Sequence, residues 1–163
     1  MNELGLIQVY TGNGKGKTTA SLGLILRAVG HGFKSSMIQF MKDEASYGET
    51  VVHNFLPGFE IIPVGRAELV NLKQPDLIDR ELAEQGWNLA KKKISSGQYQ
   101  LVVLDEINIA LKFGLLSIPE IVSFLASKNN ACEVVLTGRY ASPEVIELAD
   151  LVTEMKDLKG DEL

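Results

Sequence analysis

Apolar residues fall into short runs that alternate with longer stretches of mixed polarity. The first run, Leu4 to Tyr10, ends at glycine-rich punctuation and reads as a buried strand. Ser35 to Phe40, Phe59 to Val64, Leu101 to Leu104 and Glu133 to Leu136 read the same way. Leu151 to Met155 is a candidate last strand. Lys17 to Val29 is rich in Ala and Leu and stops at Gly30-His31-Gly32, which predicts a helix with a glycine end signal. Glu49 to Phe55 is a candidate short helix, Pro57-Gly58 the turn after it, and Gly65 to Pro75 a loop.

Asp76 is a candidate N-cap for a long helix reaching about Ile94. Within it Ile78, Leu82, Trp87, Leu89, Ala90 and Ile94 recur at helical spacing, and Lys91 to Lys93 form a solvated last turn that suits the helix dipole. Pro119 as first helical residue opens a helix to about Ser127, and Ser142-Pro143-Glu144 starts a short one with Ser142 as cap. Strands alternating with helices predict an α/β fold with a mostly parallel sheet and helices on both faces. No repeat, linker or low-complexity segment interrupts the chain, so residues 1–163 are expected to form one domain.

Composition narrows the function classes. With 21 acidic against 16 basic residues and a net charge of −5, the chain lacks the basic excess of a dedicated nucleic-acid binder. No apolar run approaches the roughly 18 residues of a membrane span. Met1-Asn2-Glu3-Leu4 has no basic leader character, and the lone Cys132 excludes a disulfide framework, so a reducing, cytoplasmic setting is expected. His31 and His53 stand far apart with no Cys or His beside them, which disfavours a metal role. Cys132 and Trp87 read as core residues.

The strongest chemical signal lies just after the first strand. Gly12-Asn13-Gly14-Lys15-Gly16-Lys17-Thr18-Thr19 joins that strand to a helix. Alternating Gly12, Gly14 and Gly16 permit positive φ and turn backbone N–H groups inward, towards phosphate oxygens at a helix N-terminus. Lys17 is expected to reach the distal phosphates, and the Thr18 hydroxyl to bind a magnesium ion shared with them. Lys15 adds a second cation. The usual first glycine of such a loop is Thr11 here. Asp105-Glu106, ending a hydrophobic strand, suits carboxylates that orient magnesium, although acidic residues at a helix start also explain such a pair. Thr137-Gly138-Arg139 follows another strand. Ligands of open α/β sheets sit at the carboxyl ends of strands, so the three segments are expected to share one crevice. Arg139 is then a candidate contact for a phosphate or a substrate carboxylate, or else a surface arginine after a turn. No nucleophile-elbow grouping of Ser, His and Asp is present, and no Asn-Lys-x-Asp motif selects guanine, which favours adenine.

These segments resemble a known family. Thr11 to Thr19, Arg27-Ala-Val-Gly-His-Gly32, Val102-Val-Leu-Asp-Glu106 and Leu136-Thr-Gly-Arg139 are similar to ATP:corrinoid adenosyltransferases of the cobalamin-pathway P-loop type. Ile38-Gln-Phe-Met-Lys42, Gly48-Glu49 and Leu148 to Glu154 extend the likeness, and the altered first glycine is the family's own variant. The resemblance implies a P-loop NTPase-like three-layer sandwich. It also implies transfer of the 5′-deoxyadenosyl group from ATP to a Co(I) corrinoid, with release of triphosphate. The cobalt is then the nucleophile, which agrees with the lack of a protein nucleophile. By the same resemblance Gly12, Asn13, Gly14, Lys15, Gly16, Lys17, Thr18 and Thr19 hold ATP, and Thr18 and Glu106 stand near magnesium; Arg139 joins the ATP set and Asp105 the magnesium set from the strand-end reading above. Lys17 and Glu106 are the catalytic candidates, a flavoprotein is the reductant, and a homodimer is expected. Two departures stand out. The family's aromatic pair after the third strand has no counterpart in Val64 to Gln74, so the corrinoid contacts are unassigned, and the residues after Glu154 differ from the family's basic, aromatic tail. Another P-loop kinase or ATPase, and a non-catalytic binding protein, are the competing readings.

Overall fold

The computed structural model describes residues 5–43, 48–128 and 131–160, so Leu4 lies outside the described residues. Strands β1 (Ile7–Thr11), β2 (Ser35–Phe40), β3 (Phe59–Val64), β4 (Leu101–Asp105), β5 (Glu133–Thr137) and β6 (Leu151–Glu154) form one sheet in the order β3-β2-β4-β5-β1-β6. Every neighbouring pair is parallel. The sheet is thus wholly parallel, a P-loop NTPase-like α/β architecture.

Strand alternation assigns each side chain to a face. Ile7 and Val9, Ile38 and Phe40, Val102 and Leu104, and Val134 and Leu136 pack on one face. There they meet α2 (Leu77–Ser95), α3 (Ile107–Lys112), α4 (Ile118–Ser127) and α5 (Pro143–Leu148). Met37, Phe59, Ile61, Leu101, Val103 and Val135 pack on the other face, against Ile25 of α1 (Lys17–Gly30). The middle layer is therefore buried on both sides, which is why every residue of β2 and β4 is buried without alternation, the polar Ser35, Ser36 and Gln39 of β2 included.

Six details depart from the sequence reading. β4 and β5 each run one residue further, so Asp105 and Thr137 are strand residues and not loop residues. The short helix α3 was not expected. Pro119 is the second residue of α4, behind a Ser117 cap whose Oγ accepts from the Glu120 N–H. In α2 the buried stripe is Ala83, Gly86, Trp87, Ala90 and Ile94, while Ile78 is 42% exposed. The Lys91–Lys93 turn is also less solvated than its charge suggests. Lys93 reaches back to Glu60 at the start of β3 and to the Tyr99 hydroxyl, and Lys91 pairs with Glu120 at 3.0 Å. The predicted helix after residue 48 is a 3-10 helix, Gly48–Asn54.

Candidate functional site

The connection from β1 through α1 sets the geometry. β1 lies between β5 and β6, whereas the next strand, β2, lies beyond β4 and β5. Residues 12–16 therefore emerge at the carboxyl edge of the sheet, where crevices of open parallel sheets form. A cavity of about 350 Å³ opens there. Asn13, Gly14, Lys15, Gly16, Lys17, Thr18 and Thr19 line one side, and Glu106, Ile109 and Arg139 the other. The structure thus brings together the three segments singled out from sequence.

Gly12 (φ +97°) and Gly16 (φ +107°) occupy the left-handed region. Gly14 serves a different need, because the segment after β6 crosses the loop beside it. The Met155 N–H donates to Thr11 O (2.8 Å), the Gly14 N–H to Met155 O (2.8 Å) and the Lys15 N–H to Asp157 Oδ1 (3.2 Å). A Cβ on Gly14 would stand 2.7 Å from Lys156 N, and one on Gly12 2.3 Å from Met155 O. Two N–H groups expected to face phosphate are therefore engaged by residues 155–157. The first helical bond runs from the Ala20 N–H to Gly16 O, so the N–H groups of Lys17, Thr18 and Thr19 precede the helix ladder and belong to the cavity wall. Gly12→Ala is expected to cost about 2–3 kcal/mol, read as a lower denaturation midpoint, because it combines a strained φ with a backbone clash. An unchanged midpoint would mean that the 155–157 segment does not lie on the loop.

Lys17 is buried, and its Nζ donates to Gly12 O (2.9 Å) and Gly14 O (2.6 Å). Burial lowers its pKa from the usual lysine range; Glu106 and Asp157 oppose this shift and Arg139 adds to it.

Asp105 is fully buried at the end of β4 and joins three strand ends. Its Oδ1 accepts from the hydroxyls of Thr18 (2.8 Å) and Thr137 (2.7 Å). Its Oδ2 accepts from Lys42 Nζ (2.8 Å) and Gln39 Nε2 (3.2 Å). Glu49 stands 3.7 Å from the same ammonium. Lys42 is turned inward by Met41, whose φ of 61° is left-handed. Gly65 makes room for this turn, since a Cβ there would lie 2.5 Å from Lys42 N.

Glu106 also has a left-handed backbone (φ 64°), and its N–H donates to Thr137 Oγ1 (3.0 Å). Its Oε2 is buried without a hydrogen-bond partner. Burial, with a further push from Asp105, raises its pKa above the usual carboxylate range; Lys42, Lys17 and Arg139 oppose the shift. Asn108, buried on α3, donates to Gly138 O (3.1 Å) and ties the turn before Arg139 to this helix. The non-glycine residues with positive φ among the described residues are Met41, Glu106 and Tyr140. All three follow the carboxyl ends of strands β2, β4 and β5, and Glu106 among them lines the cavity.

Gln39, Lys42, Glu49 and Asn108 were not nominated from sequence as site residues. The signal for two of them is visible afterwards: Gln39 is a polar residue between Ile38 and Phe40 near the end of β2, and Lys42 follows two residues beyond that strand. Trp87 is a core residue, as expected, its Nε1 donating to Glu120 (2.8 Å). Burial pushes the Cys132 thiol up to about 11, so it is not a thiolate at neutral pH. Among the described residues no helix is long and apolar enough to cross a membrane.

Comparison with known proteins adds what geometry alone does not. The FlaH flagellar accessory protein of Methanocaldococcus jannaschii superposes with a TM-score of 0.60 at 11% identity, covering 93% of this chain and 71% of that one, a likeness of fold alone. A protein of Nostoc sp. without an assigned activity is 40% identical over 94% of this chain, which spans 44% of its length. The corrinoid adenosyltransferase of Pseudomonas aeruginosa is 37% identical, over 97% of this chain and 78% of that protein. That of a Sinorhizobium species is 40% identical, over 97% and 75%. The family model of ATP:corrinoid adenosyltransferase BtuR/CobO/CobP matches residues 3–161. Matched in order along nearly its whole length, this chain belongs to the ATP:corrinoid adenosyltransferase family.

Proposed function

We propose that this chain transfers the 5′-deoxyadenosyl group from ATP to the Co(I) of a corrinoid and releases inorganic triphosphate. The observation that supports it most is the cavity between the 12–19 loop and Glu106 and Arg139, in a chain of this family. In the reaction the cobalt electron pair forms the bond to C5′. The C5′–O bond breaks, and its electron pair leaves with the triphosphate. No protein nucleophile is needed. The protein contributes position and charge neutralisation as the leaving group departs.

In this reading Gly12 to Thr19 and Arg139 hold ATP, with Gly12 shaping the loop from behind and Asn13, Lys15 and Thr19 forming its rim. Lys17 swings from the Gly12 and Gly14 carbonyls onto the phosphates. Magnesium, when bound, neutralises part of the triphosphate charge. The partnerless Glu106 Oε2 and the Thr18 hydroxyl suit it, with the remaining ligands coming from phosphate and water. Both oxygens of Asp105 already accept two hydrogen bonds each, so Asp105 acts by orienting the Thr18 hydroxyl. A flavoprotein reductant supplies Co(I), and a second copy of the chain completes a homodimer.

The test mixes protein, Mg²⁺, ATP and chemically reduced cobalamin. Appearance of the cobalt–carbon product by absorbance, with tripolyphosphate in the ³¹P spectrum, is the expected result. ADP with phosphate would instead identify a kinase or ATPase.

A further inference from the structure

Both groups suited to magnesium hang from one carboxylate oxygen. Asp105 Oδ1 accepts the Thr18 hydroxyl directly (2.8 Å). It also accepts the Thr137 hydroxyl (2.7 Å), whose own oxygen then takes the Glu106 N–H (3.0 Å). A carboxylate accepts and does not donate, so both hydroxyl protons are committed to Asp105. Thr18 Oγ1 thus keeps its lone pairs for a cation, and Glu106 is held at its left-handed backbone (φ 64°). Thr18 and Glu106 line the cavity, whereas Asp105 and the groups behind it do not.

The opposite oxygen fixes the direction of the first. Asp105 Oδ2 accepts from Lys42 Nζ (2.8 Å) and Gln39 Nε2 (3.2 Å). Glu49 shares the same two donors, its Oε1 3.7 Å from the ammonium and 3.2 Å from the amide. The carboxylate plane is thereby locked, with one oxygen for these donors and one for the hydroxyls. Stability does not account for this arrangement. The Lys42 ammonium is 11% exposed and Asp105 fully buried, and an apolar pair of similar volume is often as stable as such an ion pair. The chain also accepts a left-handed Met41 and requires a glycine at 65 to turn Lys42 inward. We propose that Lys42 is a positioning residue for the divalent cation, acting through Asp105 to present the Thr18 hydroxyl oxygen and Glu106 to the cavity. The inference rests on the magnesium and ATP reading of the site.

Titration calorimetry compares ATP in excess Mg²⁺ with ATP in EDTA, on wild type, Lys42→Met and Lys42→Met/Asp105→Asn. In Lys42→Met, affinity for ATP with Mg²⁺ is expected to fall about tenfold, as when a group that orients a metal ligand is lost, while metal-free ATP is unaffected. The double variant replaces the ion pair by an amide whose oxygen faces the hydroxyls. Its Nδ2 faces Gln39, where an amide flip presents the buried Oε1 that has no partner among the described residues. It should therefore regain most of the magnesium-dependent affinity, and it carries the test if Lys42→Met does not fold. Unchanged magnesium-dependent affinity in Lys42→Met would overturn the proposal. Equal weakening with and without the metal would also overturn it, by showing that Lys42 acts on the nucleotide or on the fold. So would a double variant about tenfold weaker than wild type, because charge and not orientation would then be what Lys42 supplies. If wild type binds no ATP, or binds it no better with Mg²⁺, the reading of the site itself fails, an outcome separate from any loss in the variants.

Discussion

Replacing Lys17 with alanine is expected to lower kcat/KM for adenosyl transfer by about 10²–10³-fold, the usual effect of losing a preorganised charge on a departing anion. The geometry explains why the loss is large. Lys17 is buried beneath its own loop with its ammonium on two backbone carbonyls, 2.6 and 2.9 Å away. Burial disfavours its charged form, so a bound triphosphate gains an ammonium that water screens poorly. Lys17→Arg keeps the charge but its planar fork does not fit between the same carbonyls, so it is expected to recover little. Initial rates of cobalt–carbon formation, beside a thermal melt to exclude unfolding, decide the matter. Wild-type turnover in Lys17→Ala would remove the loop from the mechanism.

Asp105→Ala is expected to be the most destabilising single change at the site, by about 3–5 kcal/mol in urea denaturation. It deprives the Thr18 and Thr137 hydroxyls of their acceptor and removes the closer of the two carboxylates beside Lys42, an ammonium only 11% exposed. The double variant Asp105→Ala/Lys42→Met should regain part of that loss, since it no longer leaves a buried cation beside the gap. Equal destabilisation of the single and double variants would mean that the ion pair carries none of the effect.

The sequence made the scaffold readable wherever burial on both faces left an uninterrupted apolar run, as in Leu101 to Leu104 of β4. The helix caps Asp76 and Ser142 were readable because capping is local chemistry. The short helix α3 was hidden because six residues show too little periodicity, and because it begins behind a left-handed glutamate that no propensity favours. Ile78 followed helical spacing yet faces solvent, since spacing defines a stripe but not which neighbouring stripe meets the sheet. At the site, the loop, Asp105, Glu106 and Arg139 were legible as local motifs. Lys42 and residues 155–157 were not. Lys42 reaches Asp105 across 63 positions, and Asp157 reaches Lys15 across 142, through pairings that only the sheet order creates. Gly14 illustrates the limit best. Its type was noticed, but the cause is a backbone crossing from the far end of the chain.

The ring of left-handed residues at Met41, Glu106 and Tyr140 has a consequence for how this chain evolves. At each position glycine or asparagine would fit the backbone with less strain, worth about a kilocalorie or more per site. Selection for thermal tolerance alone would therefore drift towards those residues, and selection for turnover would hold them back. These strained positions thus all lie past the carboxyl ends of the strands, the edge of the sheet at which the cavity opens. A heat-adapted lineage of this sequence must find its added stability elsewhere, or accept a slower enzyme.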